Sequence, residues 1–181
     1  MKLVIKNVTI VYPELFKAVS VRGGDPAYSA AFLLPKDSDQ LSQVKETMKE
    51  VATQKWPKDG IQTLKGLLAK DKTCLRDGDE AGYAGFENKN FITSNNKARQ
   101  PMVKDLLRND ITDKNKIYGG CVVNAVLDIW AQDNPEFGKR VNCTLLGVQF
   151  VKDGAPIGAT MATDDDFDLV EDDSTEDDDF L

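Results

Sequence analysis

Charge is divided between two parts of this chain, and the division limits how much of it can fold. From Asp164 to Leu181 there are eleven acids and no lysine or arginine. Such a stretch repels itself and has little apolar area to bury, so it cannot form a core alone. The remaining 163 residues hold 19 acids against all 23 bases, so a formal net charge of −7 conceals a body of +4. The expected organisation is one folded domain over 1–163 followed by a disordered acidic C-terminal tail over 164–181. Phe167, Leu169, Val170, Phe180 and Leu181 interrupt the acids. A polyanion ending Asp177-Asp178-Asp179-Phe180-Leu181 suits a basic groove with a small apolar pocket on a partner. It could equally fold back on a basic groove of the body itself, or act only as a solvated bristle.

Within the body, the segment from Lys2 to Tyr12 is rich in β-branched residues and reads as a strand ended by Pro13. Leu3, Ile5, Thr9 and Val11 fall on one face, and Val4, Lys6, Val8, Ile10 and Tyr12 on the other. This start lacks a small-residue cleavage site and reads as part of the fold rather than a signal peptide. Residues 13–26 read as a loop, and Tyr28 to Leu34 as a central strand. Asp37 or Ser38 then caps a helix whose stripe Leu41, Val44, Met48, Val51 and Trp56 faces a core. Ile61 to Ala69 fits a second short helix, and Asn90 to Thr93 a short strand. Val122 to Ala131 and Val141 to Val151 form a hairpin with a long tip.

No histidine is present. That removes the commonest general base and metal ligand, and with it most triad and zinc-hydrolase chemistry. Cys74, Cys121 and Cys143 are odd in number and lack Cys-x-x-Cys spacing, so they read as small buried hydrophobes. No cofactor and no metal site is expected. Asp77, Asp79 and Glu80, with Asp128, could serve a magnesium-dependent nuclease, but their spacing fits a turn with solvated acids better. No run of apolar residues is long enough for a membrane span, and the expected compartment is the cytoplasm.

Two patterns point to nucleic acid. Trp130 shares a strand face with Asn124, Asp128 and Gln132, where an aromatic offers a stacking platform unless a loop or the tail covers it. From Leu75 to Arg108, cations alternate with rings: Arg76, Tyr83, Phe86, Lys89, Phe91, Lys97, Arg99, Lys104 and Arg108. Phosphates call for the cations and unstacked bases for the rings. Spacing alone fits an ordinary solvated loop with one or two core aromatics better.

Several stretches, in order over about residues 10–160, carry a resemblance. They are Tyr12-Pro13-Glu14-Leu15-Phe16, Tyr28-Ser29-Ala30-Ala31-Phe32-Leu33-Leu34-Pro35-Lys36-Asp37, Leu75-Arg76-Asp77-Gly78-Asp79-Glu80, and Tyr83-Ala84-Gly85. Phe91-Ile92-Thr93-Ser94, Arg99-Gln100-Pro101, Tyr118-Gly119-Gly120-Cys121-Val122-Val123-Asn124-Ala125 and Asp153-Gly154 complete them. Together they resemble a phage family of single-stranded-DNA-binding proteins with an oligonucleotide/oligosaccharide-binding (OB) fold. The resemblance implies a mainly β protein, an OB-fold barrel elaborated by one or two helices, that binds single strands with little sequence preference. It also implies phage replication proteins as partners of the tail. The composition leaves a homo-oligomer open. The candidate stacking rings are Tyr12, Phe16, Tyr28, Tyr83, Phe86, Phe91 and Trp130. The candidate phosphate contacts are Arg22, Arg76, Lys89, Lys97, Arg99 and Arg108. The alternative is an acidic-tailed adaptor or DNA mimic.

Overall fold

The computed structural model describes residues 1–20 and 23–158. The predicted tail, 164–181, and the candidate contact Arg22 lie outside the described residues. Seven strands and three helices follow in chain order: β1 (Lys2–Val19), β2 (Ala27–Pro35), α1 (Asp39–Lys55), α2 (Gly60–Leu68), β3 (Leu75–Asp77), α3 (Gly78–Ala81), β4 (Lys89–Asn96), β5 (Met102–Lys104), β6 (Val122–Asn134) and β7 (Gly138–Lys152). β1 pairs antiparallel with β2 and with β6, β2 with β4, and β6 with β7. A parallel bridge, Asn95 to Thr144, joins β4 to β7 and closes a five-stranded barrel. That connectivity is the OB barrel. β3 and β5 flank it on β4 and β7.

The hairpin β6–β7 shows why the barrel forms. Val123, Ala125, Leu127 and Ile129 alternate inward and have no exposed surface, while Asn124, Val126, Asp128 and Trp130 alternate outward. This agrees with the face read from sequence. The hairpin is longer than expected, with only Pro135 to Phe137 between the strands.

β1 departs from simple alternation. Ile5 pairs with Ala125 and Val8 with Val123, so β1 carries one residue more than its partner. Asn7, at φ 53°, absorbs it, and its N–H donates to Asn124 Oδ1 at 3.0 Å. A second irregularity lies between Val11 and Glu14, at Tyr12, φ 50°. Each bulge reverses the pleat. Ile5, Val8, Ile10 and Leu15 therefore all reach the main core, although their parities differ. The expected split of Ile5 from Val8 and Ile10 fails for that reason. Pro13 does not end the strand, because a bulge needs no ladder donor there and tolerates proline.

The helices close one side of the barrel. Ser38 caps α1 by accepting from the Leu41 N–H at 3.2 Å, and Leu41, Val44, Met48, Val51 and Trp56 are buried as the stripe required. Trp56 Nε1 donates to Asp133 Oδ2 at 3.2 Å, tying the end of α1 to the β6–β7 tip. All three cysteines are buried and free.

A smaller cluster lies on the opposite, outer face of β1, β2 and β4: Val11, Ala31, Leu33, Phe86 and Phe91. It is roofed by the α3 segment, which the sequence left unassigned. Gly78 allows that roof to close, since a Cβ there would meet the Phe86 backbone oxygen and, at 2.6 Å, that of Lys89. Gly78→Ala is therefore expected to cost about 1–3 kcal/mol, as overpacking against backbone does. Chemical denaturation of the variant beside the parent checks this.

Candidate nucleic-acid interface

The outer face of β2 and β4 forms a strip with rings at one end and cations at the other. Along β4 the outward positions are Phe91, Thr93, Asn95 and then Lys97 just past its end; along β2 they are Leu33, Ala31 and Ser29. At about 3.3 Å per residue, Phe91 to Lys97 covers roughly 20 Å.

At the ring end, Phe91 and Phe86 form the base. Their centroids are 5.1 Å apart and edge-on, and both are buried. Tyr83 stands on Phe86 at 5.4 Å, and Tyr12 lies 6.2 Å from Phe86 and 6.4 Å from Tyr83. Tyr12 is 49% and Tyr83 50% exposed. The two tyrosines thus offer free ring surface, held by two phenylalanines that do not. Phe86 and Phe91 are removed from the set of stacking rings by burial. The bulge in β1 places Tyr12 in this group, and α3 places Tyr83. Asp77 caps α3 by accepting from Asp79 N–H at 2.9 Å, and Gly82 ends it in the left-handed region.

Two of the three acids of this turn, Asp77 and Asp79, are occupied. Lys36 Nζ reaches Asp77 at 3.1 Å and Asp79 at 2.6 Å, and Asp79 also accepts from Asn88 N–H at 2.8 Å. The Lys36 hydrogen bond, then that of Asn88, holds the Asp79 carboxyl below its ordinary range. Asp128, the fourth acid considered for metal chemistry, pairs with the Met1 ammonium at 2.6 Å. Among the described residues no cluster of three or more metal-ligating side chains exists.

At the other end, Lys97 is exposed and pairs with Asp25 of the β1–β2 loop at 3.0 Å, and Arg99 is exposed in the turn that follows. Between the ends the strip is polar. Ser29 pairs with Asn95, Asn95 with Thr144, and Thr144 accepts from Trp130 Nε1 at 3.0 Å. Trp130, 40% exposed, therefore borders the same strip from β6.

Other expected residues lie elsewhere. Phe16 is half-buried against the main core. Tyr28 has the inward parity of Ala30, Phe32 and Leu34 on β2. Arg76 is drawn to Asp71, donating to its backbone oxygen at 3.2 Å. Lys89 Nζ donates to the Gly85 and Glu87 carbonyls at 3.2 and 3.3 Å, closing the α3 roof. Arg108 sits at φ 68° in a separate turn beyond β5. The structure thus gathers Tyr12, Tyr83, Lys97, Arg99 and Trp130, and leaves Phe16, Tyr28, Arg76 and Arg108 off the strip.

Phe137, with Lys139 and Arg140, was missed in the sequence. It is 60% exposed at the tip joining the fourth and fifth barrel strands, a loop that meets nucleic acid in OB barrels. The signal was available: an aromatic followed by Gly138 and two cations in a hairpin turn.

The closed five-stranded barrel defines the class of OB-fold barrels, and exposed rings and cations border its β2–β4 face. The chain belongs to the family described as "Enterobacter phage Enc34, ssDNA-binding protein", whose model matches residues 1–181. The family expected from the sequence is therefore the right one. A protein called "Putative protein p50", from Acyrthosiphon pisum secondary endosymbiont phage 1, is 36% identical over 174 residues, 93% of each chain. Among solved structures, the single-stranded-DNA-binding protein of bacteriophage Enc34 in complex with ssDNA superposes with a TM-score of 0.72 at 28% identity, covering 87% of this chain and 89% of that one. The gp2.5 protein of bacteriophage T7 shares the fold, with a TM-score of 0.59 at 11% identity over 100% of this chain and 99% of that one. No helix of the described residues is long and apolar enough to cross a membrane.

Proposed function

We propose that this protein binds single-stranded DNA without regard to base sequence, in phage DNA replication or recombination, and without catalysing a reaction. The observation that carries this reading is the strip on β2 and β4: two exposed tyrosines on a buried aromatic base, a polar floor bordered by Trp130, and Lys97 and Arg99 beyond it. Stacking on rings is indifferent to base identity because every base has a π-face.

The acidic tail acts in two ways in this reading. It competes with DNA for the strip, and it presents Asp177-Asp178-Asp179-Phe180-Leu181 to phage replication proteins. Where the described chain ends supports the competition. Ile157 N–H donates to the Gly119 carbonyl at 2.8 Å, and Gly158 lies against the Tyr12 ring. The acids from Asp164 onward therefore start within a few residues of the ring end of the strip.

Fluorescence-polarisation titration of a labelled oligo-dT and a matching duplex, at low and moderate salt, tests the proposal. Tighter binding to the single strand, weakening with salt, is the expected result. No binding to either at low salt by protein lacking residues 164–181 would leave the acidic-tailed adaptor as the better reading, and equal affinity for duplex would overturn the preference for single strands.

A further inference from the structure

On the far side of α3 from the rings lies an unused groove of about 280 Å³, walled by α1, α2 and β3. Its floor is apolar, formed by buried Met48, Leu64 and Leu75. Its lip is apolar as well: Ile61 is 46% and Leu68 41% exposed on α2. A nine-residue amphipathic helix turned two large aliphatic side chains to solvent here, although its buried stripe needed only Leu64 and Leu67. Lys45, Lys49 and Lys65 line it too, Lys49 being paired with Glu46 at 2.9 Å. Of the acids that also line it, Asp77 is held by Lys36 at 3.1 Å and Asp71 faces Arg76 at 3.9 Å. Glu80 is the third.

An apolar slot lined by lysines fits a short peptide that joins a bulky hydrophobe to carboxylates. This chain carries one such peptide at its end, Asp177-Asp178-Asp179-Phe180-Leu181, within the residues not described. It also has the length to deliver it. The described body ends at Gly158 against Tyr12, and Tyr12 lies 6.4 Å from Tyr83. Tyr83 follows α3, whose Glu80 lines the groove. The 22 residues from 159 to Phe180 can span up to about 70 Å when extended, far more than this path requires. We infer that the groove between α1 and α2 is the seat of the chain's own C-terminus, with Phe180 and Leu181 on the apolar floor and Asp177 to Asp179 beside the lysines.

Seated there, the tail would be anchored at both ends, at Gly158 and at Phe180, with its central acids free to drape over the tyrosines. The inference goes beyond the proposed function, and it stands whether or not the strip binds DNA.

The test uses the full chain without DNA. Methyl resonances of Ile61, Leu64 and Leu68 are compared by NMR between the parent and Phe180→Ala. The expected result is a shift at these three groove methyls and none at Leu106 and Leu107, which are exposed beyond β5. In an Ile61→Asp background, where the side chain is exposed and the fold should persist, Phe180→Ala should no longer move Leu64 or Leu68. Identical groove methyls in parent and Phe180→Ala would overturn the inference. So would a difference that vanishes on dilution, since the occupant would then be the tail of a second copy. Shifts confined to Ile157 would place the tip on the rings instead, and would also overturn it.

Discussion

Replacing Tyr12 and Tyr83 together by alanine is expected to weaken oligo-dT binding about 30-fold or more while leaving the fold intact. Each ring that stacks a base contributes roughly 1–3 kcal/mol, and both tyrosines are about half exposed, so truncating them opens no large cavity. Phe86→Ala should behave in the opposite way. Phe86 is 1% exposed beneath both tyrosines, and losing a buried phenylalanine typically costs about 3–5 kcal/mol of stability. Measuring affinity and thermal midpoint on both variants separates ring surface from ring support. If the double tyrosine variant bound oligo-dT like the parent, the strip on β2 and β4 would not be the stacking surface.

Removal of residues 164–181 is expected to tighten single-strand binding on the order of tenfold at low salt, with a smaller gain at moderate salt. Eleven acids leave with that segment, and the remaining sequence changes from −7 to +4 in formal charge. A tethered polyanion is a local competitor for the cations that phosphates would neutralise, and screening weakens its hold as salt rises. The same salt weakens the DNA contacts, so the two titration curves should converge. Unchanged affinity on removal would confine the tail to partner contact and leave the strip's own binding untouched. The comparison separates the two duties assigned to the tail.

Much of the architecture was legible in the sequence because its signals were local. The inward run Val123, Ala125, Leu127 and Ile129 specifies one face of a strand by period alone. Ser38 followed by Leu41, Val44 and Met48 specifies a capped amphipathic helix. β1 was only half legible. The bulges at Asn7 and Tyr12 each shift the period by one residue, and a bulge is set by the partner strand, which alternation along β1 does not reveal. The α3 roof was illegible for a related reason. Four helical residues make almost no periodic signal, and Gly78 matters only because Phe86 and Lys89 return over it. That return decided the site. Phe86 and Tyr83 are close in sequence and equally aromatic, yet one is the support and the other the surface. Trp130 could be placed on an outward face from sequence, but its neighbour Asn95 across Thr144 depends on the parallel closure of β4 on β7.

Tyr12 combines two properties that natural selection would ordinarily separate. Its φ of 50° belongs to the left-handed region, where a side chain bearing Cβ costs about 1 kcal/mol or more relative to glycine. For durability alone, glycine or asparagine would serve better at this bend. The chain instead keeps a bulky ring at a position that discourages one. The body therefore gives up a little robustness at this bend to keep a ring beside the strip.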